Sequence, residues 1–152
     1  MTRVETAVTR FREGCNCSQA ILSTYAEPFG LPRPQANRLA CGFGGGMRQA
    51  DICGAVTGAM MVLGWVFGPE ACPGQPAKDE TYRKVEAFAV QFVAARGSLQ
   101  CRELLGCDII TPEGLAKARA GKLFTTTCPD LVQQAAEILE DMLKGKLPAE
   151  EA

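Results

Sequence analysis

Residues 52–69 read ICGAVTGAMMVLGWVFGP, a stretch of 18 positions without a charge. That length touches the lower limit for a membrane-spanning helix. Its Gly54-x-x-x-Gly58 spacing also lets transmembrane helices pack closely. The stretch stands alone in the chain, however, with four glycines (Gly54, Gly58, Gly64 and Gly68) and no flanking basic cluster. Spanning helices are set apart by such basic flanks. The expectation is therefore no membrane span. The segment from about Ile52 to Phe67 reads instead as the buried central helix of a bundle, whose small residues admit close neighbours.

Outward from that helix, apolar residues recur at helical spacing almost throughout. Val4, Ala7, Val8 and Phe11 mark a first helix, and Ile21, Leu22, Tyr25 and Phe29 a second that ends at Gly30 and Pro32. A short third helix spans about Pro34 to Cys41, with Ala36, Leu39 and Ala40 turned inward. After a Pro/Gly loop, Lys78 to Arg96 forms a long helix presenting Tyr82, Val85, Ala89, Phe92 and Val93, with Gly97 placed to terminate it. A turn or two follows Ser98 and stops at Gly106. Thr111-Pro112 then opens another short helix, and the last runs from Cys128 or Pro129 to about Lys144. No segment alternates as a strand would. The predicted fold is all-α, one helical domain over residues 1–147 with a frayed tail over 148–152. It has about five main helices plus one or two short helices.

The 152 residues are 47% hydrophobic and 22% charged, which suffices for a core without disulfides. Sixteen basic residues against 17 acidic ones leave a net charge of -1, so no basic field favours nucleic acid. The chain has no histidine. That excludes Ser-His and Cys-His dyads, His-ligated metals and c-type haem attachment. The amino terminus MTRVETAVTRFREG is charged and amphipathic, unlike a secretory signal, so the expected location is cytoplasmic. In a reducing compartment, eight cysteines point to metal or redox chemistry more than to a disulfide framework.

Four of them are expected in the first turns of four helices. Asn16 would cap the helix that Cys17 opens, with Gln19 completing a capping box. Asp51 would cap the helix of Cys53, and Ser98 that of Cys101. Cys128 would cap or open the last helix. Helix-start amides stabilise negative charge, and the thiolate is both nucleophile and metal ligand. Cys41, Cys72 and Cys107 read as buried small hydrophobes or incidental thiols, with Cys15 intermediate because it neighbours Cys17. The run Gly42-Phe43-Gly44-Gly45-Gly46 lacks the strand and the Lys-Ser/Thr of a phosphate loop. It reads as a tight turn into the central helix. The amides of Gly44, Gly45 and Gly46 and the charge of Arg48 are candidates for contact with a nearby sulfur-bound group.

These cysteines also carry a resemblance. Gly14-x-x-Cys17-Ser18-Gln19-Ala20, the FGGGM run leading to Cys53-Gly54-Ala55-Val56-Thr57-Gly58-Ala59, Cys101-Arg102-Glu103-Leu104-Leu105-Gly106, and Cys128 ahead of LVQQAAEILEDML follow one another in that order. Together they resemble the C_GCAxxG_C_C family of redox proteins, from about Val4 to Lys144. The family name implies Gly-Cys-Ala where this chain reads Ile52-Cys53-Gly54-Ala55. The resemblance implies a small helical protein with redox or iron–sulfur associations and singles out Cys17, Cys53, Cys101 and Cys128.

Three readings remain open from sequence. The first is electron transfer at a thiolate-held metal site, an iron–sulfur cluster ahead of zinc, with Cys17, Cys53, Cys101 and Cys128 as ligands. Spacings of 36, 48 and 27 residues mean that only the tertiary fold could assemble it. The second is thiol–disulfide exchange among the same cysteines, although no Cys-x-x-Cys occurs. The third is a structural or interaction module with packed cysteines. Expected partners are a redox protein and, given so apolar a central helix, a second copy of the chain.

Overall fold

The computed structural model describes residues 1–150. Its helices are α1 (Arg3–Arg12), α2 (Cys17–Tyr25), α3 (Arg33–Ala40), α4 (Gly54–Phe67), α5 (Ala77–Arg96), α6 (Cys101–Leu105), α7 (Pro112–Ala120) and α8 (Thr127–Met142). The chain is all-α. Among the described residues the only β-type pairing is an isolated antiparallel bridge between Ile52 and Gln100. The helix count exceeds the expected five main and one or two short helices. Residues 151–152 of the expected tail lie outside the described part. Within it, Glu150 accepts a hydrogen bond of 2.8 Å from the Arg3 N–H.

The helix ends follow their sequence signals. Thr2 and Glu5 form a capping box on α1, and Asn16 and Gln19 form one on α2. Thr111 accepts from the Gly114 N–H at the start of α7, where Pro112 needs no donor of its own. Gly97 ends α5 in the left-handed region at φ 86°. Such a C-terminal residue favours glycine because a Cβ would crowd the preceding carbonyl.

α4 lies at the centre, as its composition requires. Gly54, Ala55, Val56, Gly58, Ala59, Val62 and Leu63 are all buried, chiefly against α2 and then α5 and α8. The two glycines of the Gly54-x-x-x-Gly58 pair face α2. A Cβ on Gly54 would lie 3.1 Å from the Cys17 Cβ, and one on Gly58 would lie 2.9 Å from the Ser18 carbonyl oxygen. Both helix backbones therefore approach closely where α2 begins. No described helix is long and apolar enough to cross a membrane.

The main core joins Ile21, Leu22, Tyr25, Val56, Leu63, Phe88, Phe92, Val132 and Leu139. A second, smaller cluster joins Ala50, Cys101, Leu105, Ile109, Ala118 and Cys128. Three inward assignments fail. Leu39 is exposed on α3, and Tyr82 and Val93 are exposed on α5, which buries the expected Phe92 together with Phe88. A 20-residue helix with apolar residues on more than one face can turn either inward, and the Phe88–Phe92 ring pair supplies the larger burial.

Candidate functional site

The seam between the main core and the smaller cluster contains a cavity of about 200 Å³. Cys17, Cys53, Cys101 and Cys128 all line it, together with apolar walls from Phe11, Leu105, Ile109, Leu115, Phe124 and Leu131. Residues separated by up to 111 positions thus meet at one place, since 128 − 17 = 111. None of the other four cysteines lines the cavity. Cys41 and Cys72 are exposed, which leaves them as incidental thiols rather than buried hydrophobes, and Cys107 is half-buried against the smaller cluster. Cys15 packs against the main core rather than joining the cavity.

Each of the four is delivered by a helix start, with two capping corrections. Asn16 caps α2 and Cys17 is its first residue: the Asn16 Oδ1 accepts from the Gln19 N–H at 2.9 Å, and the Gln19 Oε1 accepts from the Asn16 N–H at 3.0 Å. Asn16 also donates to the Cys41 carbonyl at 2.9 Å, tying this cap to the end of α3. Cys53 is itself the N-cap of α4, where Asp51 was expected. Gln100, not Ser98, is the N-cap of α6, so Cys101 is the first helical residue; Ser98 accepts from the Gln100 N–H instead. Cys128 is the second residue of α8.

The Ile52–Gln100 bridge sets the register between two of these starts. The Cys53 N–H donates to the Leu99 carbonyl at 2.8 Å, and the Cys101 N–H donates to the Asp51 carbonyl at 2.6 Å. Two short backbone segments, neither with a strand-like sequence, therefore hold Cys53 and Cys101 side by side.

The glycine-rich run enters this bridge through an unusual turn. Gly45, Gly46, Met47 and Arg48 have φ of 63°, 62°, 60° and 57°, a consecutive left-handed run, and Ala50 follows at 50°. Non-glycine residues in this region carry strain of about 1–3 kcal/mol each. The turn is closed by the Asp51 N–H donating to the Gly46 carbonyl at 3.1 Å. It is clamped from α6 by Arg102, whose guanidinium donates to the Ala50 and Gln49 carbonyls at 3.0 and 2.8 Å. Gly46 has no space for a side chain: a Cβ would lie 2.5 Å from the Asp51 nitrogen and 3.0 Å from the Cys101 Cβ. Gly45, Gly46 and Arg48 line the cavity, whereas Gly44 packs against the Asn16 side chain without lining it.

The thiols differ in acidity. Cys17 is pushed well above the ordinary thiol range, because its proton is shared with Cys128 and Cys53 and because it is buried. Cys53 is held below that range, chiefly by the Cys17 proton facing it and then by the amides of Ala55 and Val56 at the start of α4, against the opposing effect of burial. Cys101 is pushed up to about 12 by burial first, then by the neighbouring sulfurs of Cys53 and Cys128. Cys53 thus ionises more readily than Cys17, which faces it as a proton donor, an arrangement suited to nucleophilic attack or to soft-metal ligation. All eight cysteines are free thiols. Among the described residues, no three Cys, His, Asp or Glu side chains are gathered closely enough to hold one metal ion.

Sequence patterning signals the four thiols but not the walls Phe11 on α1, Leu115 on α7 and Phe124 in the turn before α8. Arg102 was quoted only as part of a motif. Nothing local to it signals a clamp on a turn 52 residues away.

A family model described as "Putative redox-active protein (C_GCAxxG_C_C)" matches residues 15–142. No curated protein and no solved structure matches the chain.

Proposed function

The chain belongs to the C_GCAxxG_C_C family, and on that premise we propose that it is an electron-transfer protein whose Cys17, Cys53, Cys101 and Cys128 hold an iron–sulfur cluster. One observation carries this reading: these four cysteines, each from the start of a different helix, line one apolar cavity that the other four do not reach. The donor set fits the group, because iron–sulfur clusters take four thiolates and this cavity offers four thiols with no competing carboxylate or imidazole. The sulfurs border a cavity rather than converge on a point. That arrangement favours a multi-iron cluster over a single tetrahedral zinc with sulfurs about 2.3 Å from the metal. The cluster would supply one-electron transfer.

The chain's own residues do the rest. Cys53 is already disposed to be a thiolate. The helix starts bring positive dipole ends toward the negative charge of the site. Leu105, Ile109, Leu115, Phe124 and Leu131 exclude water, which shapes the potential of a thiolate-bound cluster. Iron and sulfide analysis of protein purified without air tests the proposal, with stoichiometric iron and sulfide expected. The Cys53→Ser variant loses the visible absorption and Cys72→Ser keeps it.

The acidity split between Cys17 and Cys53 favours a second reading, thiol–disulfide exchange. In it the Cys53 thiolate attacks an external disulfide and Cys17, once deprotonated, resolves the mixed disulfide, leaving a Cys17–Cys53 bond and two released thiols. Colourless, iron-free protein from anaerobic preparation that cycles between dithiol and disulfide would establish this reading in place of the first.

A further inference from the structure

Of all the residues lining the four-cysteine cavity, Arg48 alone carries a formal charge. It is exposed, so the cavity reaches the surface where Arg48 stands. Its side chain folds back over Gly45: a Cβ built on Gly45 would find the Arg48 Nη1 at 3.4 Å and the Ile109 Cδ1 at 3.5 Å. The guanidinium therefore lies at the mouth of the cavity beside an apolar surface while still meeting solvent. Among the described residues it has no ion pair and no hydrogen bond, as is also true of other surface arginines such as Arg12 and Arg38; what sets it apart is its place at the cavity. It is held there by a backbone in the left-handed region, flanked by Met47 and clamped through the Ala50 and Gln49 carbonyls. A strained, clamped turn that carries an unpartnered cation to the mouth of an apolar thiol cavity is built to meet a negative charge.

We propose that the metal-free cavity admits small anions, carboxylates or oxyanions, in preference to neutral molecules of the same size, and that Arg48 is the residue that selects them. The inference rests on the second reading, in which the thiols themselves react without metal, and names the class of molecule that reaches them. The guanidinium offers a planar pair of N–H donors matched to two oxygens of a carboxylate or oxyanion. The apolar walls strengthen that attraction by excluding water. A volume of about 200 Å³ is small for a ligand pocket, which restricts the reactant to a few heavy atoms. Asn16, which also lines the cavity, is committed to the α2 cap through its Oδ1 and to Cys41 through its Nδ2, leaving Arg48 as the free polar group for recognition.

Iodoacetate and iodoacetamide test this directly. They share a size and an alkylating carbon and differ in charge. The reduced, metal-free full-length chain is labelled anaerobically with each, and the rate at Cys53 is followed by peptide mass spectrometry. The ratio of the two rates cancels the acidity of the thiol, which is common to both. The same ratio measured at Cys53 in the urea-unfolded chain is the reference. Cavities lined by one sign of charge raise association rates by roughly 10- to 1,000-fold, so the folded ratio should exceed the unfolded one by about tenfold or more. Arg48→Asn, chosen because Asn tolerates left-handed backbone, brings the ratio down to the unfolded value. Arg48→Lys keeps most of it. Three results overturn the proposal: equal ratios in the folded and unfolded chain, an Arg48→Asn variant that slows both reagents equally, or no labelling of Cys53 by either. The first two mean that Arg48 selects nothing, and the third that the cavity admits no such molecule. Stoichiometric iron and sulfide in anaerobic protein would sink the thiol-exchange reading while leaving this ratio, measured on the metal-free chain, untouched.

Discussion

A missing Cβ at Gly46 decides whether two of the four thiols meet. Its φ of 62° alone would make alanine costly, and the space is worse: the added atom would press on the Asp51 nitrogen and carbonyl oxygen at 2.5 and 2.8 Å. That carbonyl receives the Cys101 N–H, so a shift of Asp51 moves the α6 start away from Cys53. Gly45 has a similar φ, but its Cβ would meet only ordinary contacts at 3.4–3.6 Å. Gly45→Ala should therefore cost about 1–2 kcal/mol, the penalty of left-handed backbone alone. Gly46→Ala should cost more, by up to about 3 kcal/mol of added strain, and should disturb the acidity of Cys101 as well. Urea unfolding of the two variants, with thiol titration of each, checks the order. Equal losses would mean that Gly46 is needed for its φ and not for its closeness to the bridge. The glycine run was visible in the sequence as a turn. Its left-handed continuation through Met47, Arg48 and Ala50 was not, because none of these residues favours that region. The conformation is imposed from outside by Arg102 and the bridge to Gln100.

At the level of elements, the glycines within α4 play two different roles. Gly58 sits under α2, where a Cβ would come within 2.9 Å of the Ser18 carbonyl oxygen and 3.1 Å of the Ile21 Cβ. Gly64, two turns later, has nothing within 4 Å of an added Cβ. Gly58→Leu should overpack the α2–α4 contact and cost about 1–3 kcal/mol. Gly64→Ala should instead stabilise by about 0.5–1 kcal/mol, since it removes backbone freedom from the unfolded helix without a clash. Thermal melts of the pair give opposite signs if the helix is placed correctly; an unchanged melting temperature for Gly58→Leu would contradict its placement. The helices themselves were legible because their ends are chemically marked, by the Asn16–Gln19 box, by Thr111-Pro112 and by Gly97. The caps of α4 and α6 were not, because the residues there are fixed by the bridge rather than by their own side chains: Cys53 and Gln100 make no side-chain cap hydrogen bond. The inward face of α5 was misread for a related reason. Apolar residues on several faces leave the choice to the neighbours, and α4 and α8 take Phe88 and Phe92.

Across the whole molecule, the site depends on α8 docking onto α2, since Cys128 and Cys17 sit at the starts of those two helices. Tyr25 locks that contact from the other end of α2. It is fully buried, and its hydroxyl donates to the Glu140 carboxylate at 3.0 Å, with the Ala136 carbonyl at 3.2 Å. Burial, and then the charge of Glu140, push its ionisation well above the ordinary value of 10.0. The folded chain therefore keeps the Tyr25 proton at a pH where the unfolded chain releases it. Below about pH 10 the tyrosine is neutral in both states and its full contribution to stability is present. As pH rises past that value the unfolded state alone ionises, and the contribution falls by about 1.4 kcal/mol per pH unit for one proton. Tyr25→Phe removes both the hydrogen bonds and this dependence. At pH 8 the variant should be less stable by about 1–3 kcal/mol, the cost of a lost hydrogen bond to a charged group, and the deficit should narrow steadily between pH 10 and 11. The cysteines titrate alike in both proteins and cancel from the difference. Urea midpoints across this range decide the matter: parallel curves would show that Tyr25 ionises as easily inside the fold as outside it, and that the α2–α8 lock is open to water.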